Sequence, residues 1–270
     1  MSAVRTVARC VLAVAILSVV LPAARAEAGA SAAYADGPFE SAVAAYRAGE
    51  YALAEERFRA ALDAPLSPDE RARVLYDLGN VAWRDGRRGE ALGWYAACLR
   101  IAPRHADARA NLRFAREELG LPPSDAGDLQ TTLLQGLRSF TRGEAALAVV
   151  LASLALLLAL LFEALRGGRA GRIAIGVCAA GVALSLPPWI HAEVRAARDP
   201  WVAIGTPEVS LRSEPSLARP EVALVATGAE VQRIDALAGW VRVETADGVR
   251  GWAREDRFFR LDRSGSDDDA

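Results

Sequence analysis

The chain has 270 residues, room for about two domains, with 52% apolar and 24% charged residues and a formal net charge of -2. That balance excludes bulk disorder and any general attraction to nucleic-acid backbones. All 32 basic residues are arginine, which excludes lysine Schiff-base and P-loop chemistry. Two histidines and three cysteines are too few for an ordinary zinc site, and no cofactor is expected.

In chain order, residues 1–26 read as an export signal. Arg5 and Arg9 precede the apolar run Val11 to Leu21, and Pro22 leads to Ala24-Arg25-Ala26, a cleavage pattern of small residues. The alternative is an uncleaved anchor. Either way the following chain is expected outside the cytoplasm, because the basic end stays inside. Cys10 precedes the apolar core, so it is not a lipoprotein cysteine. Cys98 and Cys178 are expected in a soluble helix and a membrane span, which leaves no disulfide framework.

Residues 37–120 carry a helical repeat. A 34-residue unit starting at Ala72 places Leu75, Leu78, Gly79, Ala82, Gly86, Ala91, Tyr95, Cys98, Leu99 and Pro103 in a pattern that resembles the tetratricopeptide repeat. Gly79, Ala91 and Cys98 are small enough for close helix approach, and Pro103 ends the second helix. An earlier copy runs through Ala45, Gly49, Ala54, Phe58, Ala61 and Leu62, with Pro38 and Ser41 standing where apolar residues are usual. Ser67-Pro68-Asp69-Glu70 reads as a helix start. His105 to Leu119 adds a capping helix, so two repeats plus a cap are expected.

Such a stack offers a concave groove. Repeat position puts Tyr46, Arg47, Arg73, Tyr76, Asn80, Trp83 and Arg84 on it, a set suited to a carboxylate-bearing peptide. The alternative is that Tyr76 and Trp83 pack on a neighbouring helix while the arginines are solvated. Arg109, Arg113 and Arg116 read as the wet face of the cap, and His105 as a surface residue at a turn.

Residues 121–144 read as a linker with a short juxtamembrane helix, Leu129 to Phe140, ending in Thr141-Arg142-Gly143-Glu144, the spacing of a capping box. Transmembrane helices are expected at 145–165 and 173–190, the second closed by Pro187-Pro188-Trp189. The connector at 166–172 holds Arg166, Arg169 and Arg172, as a cytoplasmic hairpin tip should, although Arg138, Arg142, Arg195 and Arg198 flank the other ends. The export signal therefore decides orientation. Glu163 is expected to snorkel from the inner end of the first span; a functional carboxylate is the alternative.

From Trp201 the apolar period shortens to two, in Val209–Arg212, Glu230–Ile234 and Trp240–Glu244, and Asp247-Gly248 marks a hairpin. About five short strands imply a small barrel over 201–262. The phrases Leu211-Arg212-Ser213-Glu214-Pro215, Gly239-Trp240-Val241-Arg242-Val243 and Gly251-Trp252-Ala253 resemble bacterial SH3-like domains. That resemblance implies recognition of wall peptides or other proteins, with Arg212, Trp240 and Trp252 as candidates, or a barrel that only positions its neighbours. Both tryptophans are expected in the core, a ligand platform being the alternative. Residues 263–270, with Asp267-Asp268-Asp269, read as a solvated acidic tail.

The fold expectation is a multidomain chain: an α-helical tetratricopeptide repeat domain, two transmembrane helices and an all-β SH3-like barrel. That order, with Tyr76-Asp77-Leu78-Gly79-Asn80, Gly93-Trp94-Tyr95 and Ala106-Asp107-Ala108-Arg109-Ala110-Asn111-Leu112, resembles BatE-type members of the Bacteroides-aerotolerance (Bat) family. The resemblance implies a bacterial inner-membrane protein with both soluble modules on the outer side. Its implied partners are von Willebrand A-domain Bat proteins and, indirectly, a MoxR-type ATPase, in oxygen tolerance or envelope stress. No nucleophile–base pair, phosphate loop or acid pair stands out, and an enzyme is not expected. The expected function is a non-catalytic scaffold; the alternative is a sensor whose barrel binds peptidoglycan.

Overall fold

The computed structural model of the protein describes residues 37–121, 136–137, 140–197, 200–205 and 208–261. The expected export signal, most of the expected juxtamembrane helix and the acidic tail lie outside the described residues. The chain divides into two compact units with the boundary after Arg87.

The first unit contains α1 (Pro38–Ala48), α2 (Tyr51–Leu62) and α3 (Pro68–Arg84). Pro38 opens α1, where a missing N–H costs nothing, and Ser41 Oγ donates to the Pro38 carbonyl at 2.9 Å. The two residues that weakened the repeat pattern are thus helix-start residues. Phe39 beside them is buried edge-on against Phe58, with ring centroids 5.6 Å apart. Gly49, at φ 81°, ends α1 in the left-handed conformation that glycine adopts without strain. Ser67 and Glu70 form a reciprocal capping box at the start of α3, each bonding the other's backbone N–H. Along α3, Ala72, Leu75, Leu78, Gly79 and Ala82 are buried and form one apolar stripe.

The second unit contains α4 (Arg88–Ile101), α5 (Ala106–Glu118), α6 (Arg142–Arg166), α7 (Arg169–Ala197) and all the strands. The expected 37–120 domain is therefore cut between α3 and α4, because α4 packs on the β-domain as well as on α5. Every residue from Ala91 to Cys98 is buried, as is Gly89, so this helix has no wet face along most of its length. His105 is the N-cap of α5, its Nδ1 accepting from the Ala108 N–H at 3.2 Å. It is a structural cap and not an idle surface residue. Cys98 and Cys178 are not joined in a disulfide.

Thr141 and Glu144 form the expected capping box at the start of α6. Helices α6 and α7 are long and apolar enough to cross a membrane. Leu165 and Leu184 are 65% and 77% exposed, burial that only another medium or chain could supply. The helix does not stop at Pro187-Pro188 but continues to Ala197. The prolines remove two amide donors, a loss that apolar spanning helices tolerate. Arg142 pairs bidentately with Glu193 at 2.8 and 2.9 Å, tying the start of α6 to the far part of α7. At the other end Glu163 lies against Gly171, where a Cβ would overlap its carboxylate.

Seven strands form one antiparallel sheet in the order β3-β2-β6-β5-β4-β1-β7. They are β1 (Pro200–Ala203), β2 (Glu208–Arg212), β3 (Glu221–Ala226), β4 (Glu230–Leu237), β5 (Trp240–Glu244), β6 (Arg250–Arg254) and β7 (Phe258–Arg260). The sheet wraps around one core: Trp201, Ala203, Val209, Leu211, Val225, Val231, Val241, Val243, Ala253 and Phe258. Asp247-Gly248 lies in the turn 245–249 that closes β5–β6, with the Gly248 N–H bonded to the Thr245 carbonyl at 2.9 Å and Gly248 at φ 79°. The β4–β5 hairpin turns on Ala238 and Gly239 alone, both at positive φ, a turn the sequence reading did not mark.

Candidate interaction surfaces

Two open surfaces and one covered surface stand out in the structure. The first open surface is on α3. Arg73, Asp77, Asn80 and Arg84 recur at the spacing of one helix face, flanked by Tyr76 and Trp83. Arg73 and Arg84 are exposed, whereas Tyr76, Asn80 and Trp83 are half-buried. The helix therefore brings five of the seven sequence-derived groove residues together. The other two stand at the end of α1: Arg47 is exposed, and Tyr46 packs on Tyr51 of α2 with ring centroids 5.9 Å apart. Sequence reasoning missed Asp77. Burial pushes its carboxyl up to about 6, against the opposing pull of a 3.5 Å hydrogen bond from Asn80 Nδ2 and the charge of Arg73.

The second open surface is the outer face of the β-domain. Alternation along β5 and β6 turns Val241, Val243 and Ala253 into the core and Trp240, Arg242, Trp252 and Arg254 outward. Trp240 and Trp252 are half-buried and outside the core, contrary to the core expectation. Trp201 of β1, edge-on to Phe258 at 6.3 Å, holds the central place instead. The register then aligns side chains across strands: Glu221 faces Arg212, Arg212 faces Trp252, Trp252 faces Arg242 and Arg242 faces Asp235. A second row places Trp240 between Arg254 and Leu237, the Arg254 guanidinium lying 6.0 Å from the Trp240 ring centroid. Shifts in register at Arg233/Asp235 and Leu211/Arg212 set this alignment, and alternation alone could not have located them.

The covered surface is formed by β1 and β7. Val202 pairs with Phe259 on the side of these strands away from the core. There Trp94 of α4 meets Phe259 edge-on, with centroids 4.6 Å apart. Gly93 allows this: a Cβ on it would lie 2.5 Å from Phe259 Cδ1. Gly89 does the same one turn earlier, where a Cβ would meet Thr227 Cγ2 at 2.9 Å. Thr227 is itself held by a 2.6 Å bond from its hydroxyl to the Gly205 carbonyl. Arg104, just after α4, bonds Glu144 at 2.9 Å and lies over the Phe140 ring, joining the same unit to the start of α6.

Among the described residues, no group of three or more histidine, cysteine, aspartate or glutamate side chains could hold a metal ion. What the geometry offers is aromatic and guanidinium surface for recognition, on a protein with two apolar helices long enough to span a bilayer. The β-domain is a bacterial SH3 domain: residues 207–257 match that family. The match covers β2 to β6, which carry the arginine–tryptophan face, and leaves out β1 and β7, which receive α4. A comparison with curated proteins found no match.

Proposed function

We propose that the protein is a non-catalytic, membrane-anchored interaction protein of the cell envelope, a scaffold holding partner segments on the α3 surface and on the SH3 barrel. The observation that carries this reading is the packing of α4 on β1 and β7. Residues before and after the α6–α7 hairpin belong to one compact unit, which supports an even number of crossings between them and a shared side of the membrane. Two weak sites fixed to one anchor gain through effective concentration. With the export signal, that side is the periplasmic or outer face of the inner membrane. The order of parts supports a role like that of BatE-type Bat proteins, with von Willebrand A-domain proteins as partners and a MoxR-type ATPase acting indirectly.

A photoreactive residue replacing Trp83 in the intact protein, crosslinked in its own membrane, tests this. The expected result is one or a few discrete protein adducts, lost when Arg73 and Arg84 are changed to Glu while export and folding persist. Unaltered adducts would contradict the assignment of the α3 surface.

The outward tryptophans favour a second reading, in which the barrel binds peptidoglycan peptides and reports on the wall. Retention of the full chain on purified sacculi, lost in Trp240→Ala/Trp252→Ala, would favour that reading over the scaffold. An isolated barrel is the wrong reagent, since its β1–β7 surface is completed by α4.

A further inference from the structure

We propose that the strip Arg212–Trp252–Arg242 is a docking site for an extended segment of a partner protein that carries two carboxylates flanking an aromatic or large apolar side chain. This rests on the reading of the barrel as an interaction module and names the chemistry of its partner. Three neighbouring strands present the strip: Arg212 on β2, Trp252 on β6 and Arg242 on β5, directly opposite one another. Adjacent strands lie about 4.8 Å apart, so the two arginines are rooted about 10 Å apart with an indole between them. In an extended peptide, residues i, i+2 and i+4 share a face over about 13 Å, a span that splayed arginine side chains can meet. An Asp-x-Phe-x-Asp segment lying across the strands would give each guanidinium a carboxylate and stack its ring on Trp252.

Two observations select this ligand over a polyanionic surface such as phosphate-rich lipid or nucleic acid. The row is closed at both ends by acids, Glu221 beyond Arg212 and Asp235 beyond Arg242. A ligand with continuous negative charge would meet them, whereas one with two spaced carboxylates fits between. Arg242 is exposed on the outer face. Arg212 Nη1 donates to the Arg219 carbonyl at 2.6 Å, which fixes the guanidinium without neutralising it. The Glu221 carboxylate is occupied by the Ser210 hydroxyl at 2.5 Å. Ion pairs nearby join Glu244 to Arg250 and Glu214 to Arg219, outside the strip. Leu237, 56% exposed beside Trp240, extends the apolar floor.

The test uses full-length protein in nanodiscs of zwitterionic lipid and the fluorescein-labelled peptide Gly-Asp-Ser-Phe-Ser-Asp-Gly, read by anisotropy. Saturable binding is expected, weakened at least tenfold by Arg212→Gln/Arg242→Gln and by Trp252→Leu, and equally by Asn for both Asp in the peptide. Arg250→Gln, on the same sheet but outside the strip, should leave affinity unchanged, and circular dichroism should show each variant folded. Equal binding by the double variant, equal binding of the Asn peptide, or no binding to the wild-type chain would overturn the proposal. Binding only after Asp267, Asp268 and Asp269 are changed to Asn would also overturn it, since the occupant would then be the chain's own acidic tail. The crosslinks at position 83 separate this from the broader reading: if they persist when the peptide fails, only the docking strip is lost.

Discussion

The barrel carries aromatic residues outside its core on two faces, and the two faces are treated oppositely. On β1 and β7, Phe259 is covered by a helix of the same chain, and Gly89 and Gly93 clear the space for it. On β5 and β6, Trp240 and Trp252 are left half-buried and interleaved with Arg242 and Arg254. A glycine-lined helix against an aromatic ring spends the apolar surface on stability. Arginines alternating with indoles keep the surface wet and directional, at little gain in stability and with a ready means of recognition. Aromatic content alone does not separate the two; the neighbours of each ring do.

The sharpest way to break the comparison is at the covered face. Phe259→Ala should cost about 3–5 kcal/mol, with faster hydrogen exchange in α4 as well as in β1 and β7. Destabilisation confined to the strands would mean that α4 and the barrel are not one cooperative unit. Gly93→Ala should cost about 1–3 kcal/mol through overpacking against the Phe259 ring, whereas Trp252→Leu on the open face should change the thermal midpoint little.

A smaller effect comes from Asp77 on the open α3 surface. Burial raises its folded carboxyl to about 6, above the ordinary aspartate range, so the folded state holds the proton more tightly than the unfolded one. The contribution of Asp77 to stability is therefore greatest below about pH 4, falls as pH rises from about 4 to 6, and is level above that. With allowance for partial exposure, Asp77→Asn should remove that slope and raise stability at pH 7.5 by about 1–2 kcal/mol, measured by thermal unfolding across pH. The smallest effect is at the turn carrying Trp240. Ala238 sits at φ 48°, where a Cβ is strained, so Ala238→Gly should stabilise by about 0.5–1 kcal/mol without affecting α4.

Local signals were legible in the sequence where one short segment decides the outcome. The Thr141–Glu144 capping box, the helix start at Ser67-Pro68, the two long apolar helices and the Asp247-Gly248 hairpin follow from neighbouring residues alone. The α3 residues of the candidate groove were legible for the same reason, since helical spacing places them. Long-range packing was not. Gly93-Trp94 reads as repeat packing until Phe259, more than 160 positions later, is brought against it. The same limit hid the placement of Trp240 and Trp252. Alternation turns them to one face of the sheet, but which face is dry depends on strands that the pattern did not reveal, β1 and β7. Asp77 was passed over because its burial, and not its residue type, makes it unusual.

The central claim is that α4 and the barrel, which lie before and after the α6–α7 hairpin, are packed together, from which we propose that both stand on one side of a membrane. Its most direct test is labelling of single cysteines at positions 113, 168 and 247, in a chain freed of native cysteines, with a membrane-impermeant maleimide on spheroplasts. Positions 113 and 247, exposed on α5 and on the β5–β6 turn, should both react, and position 168 in the connector only after the membrane is opened. Reaction at 113 without 247, or at 247 without 113, would contradict the account.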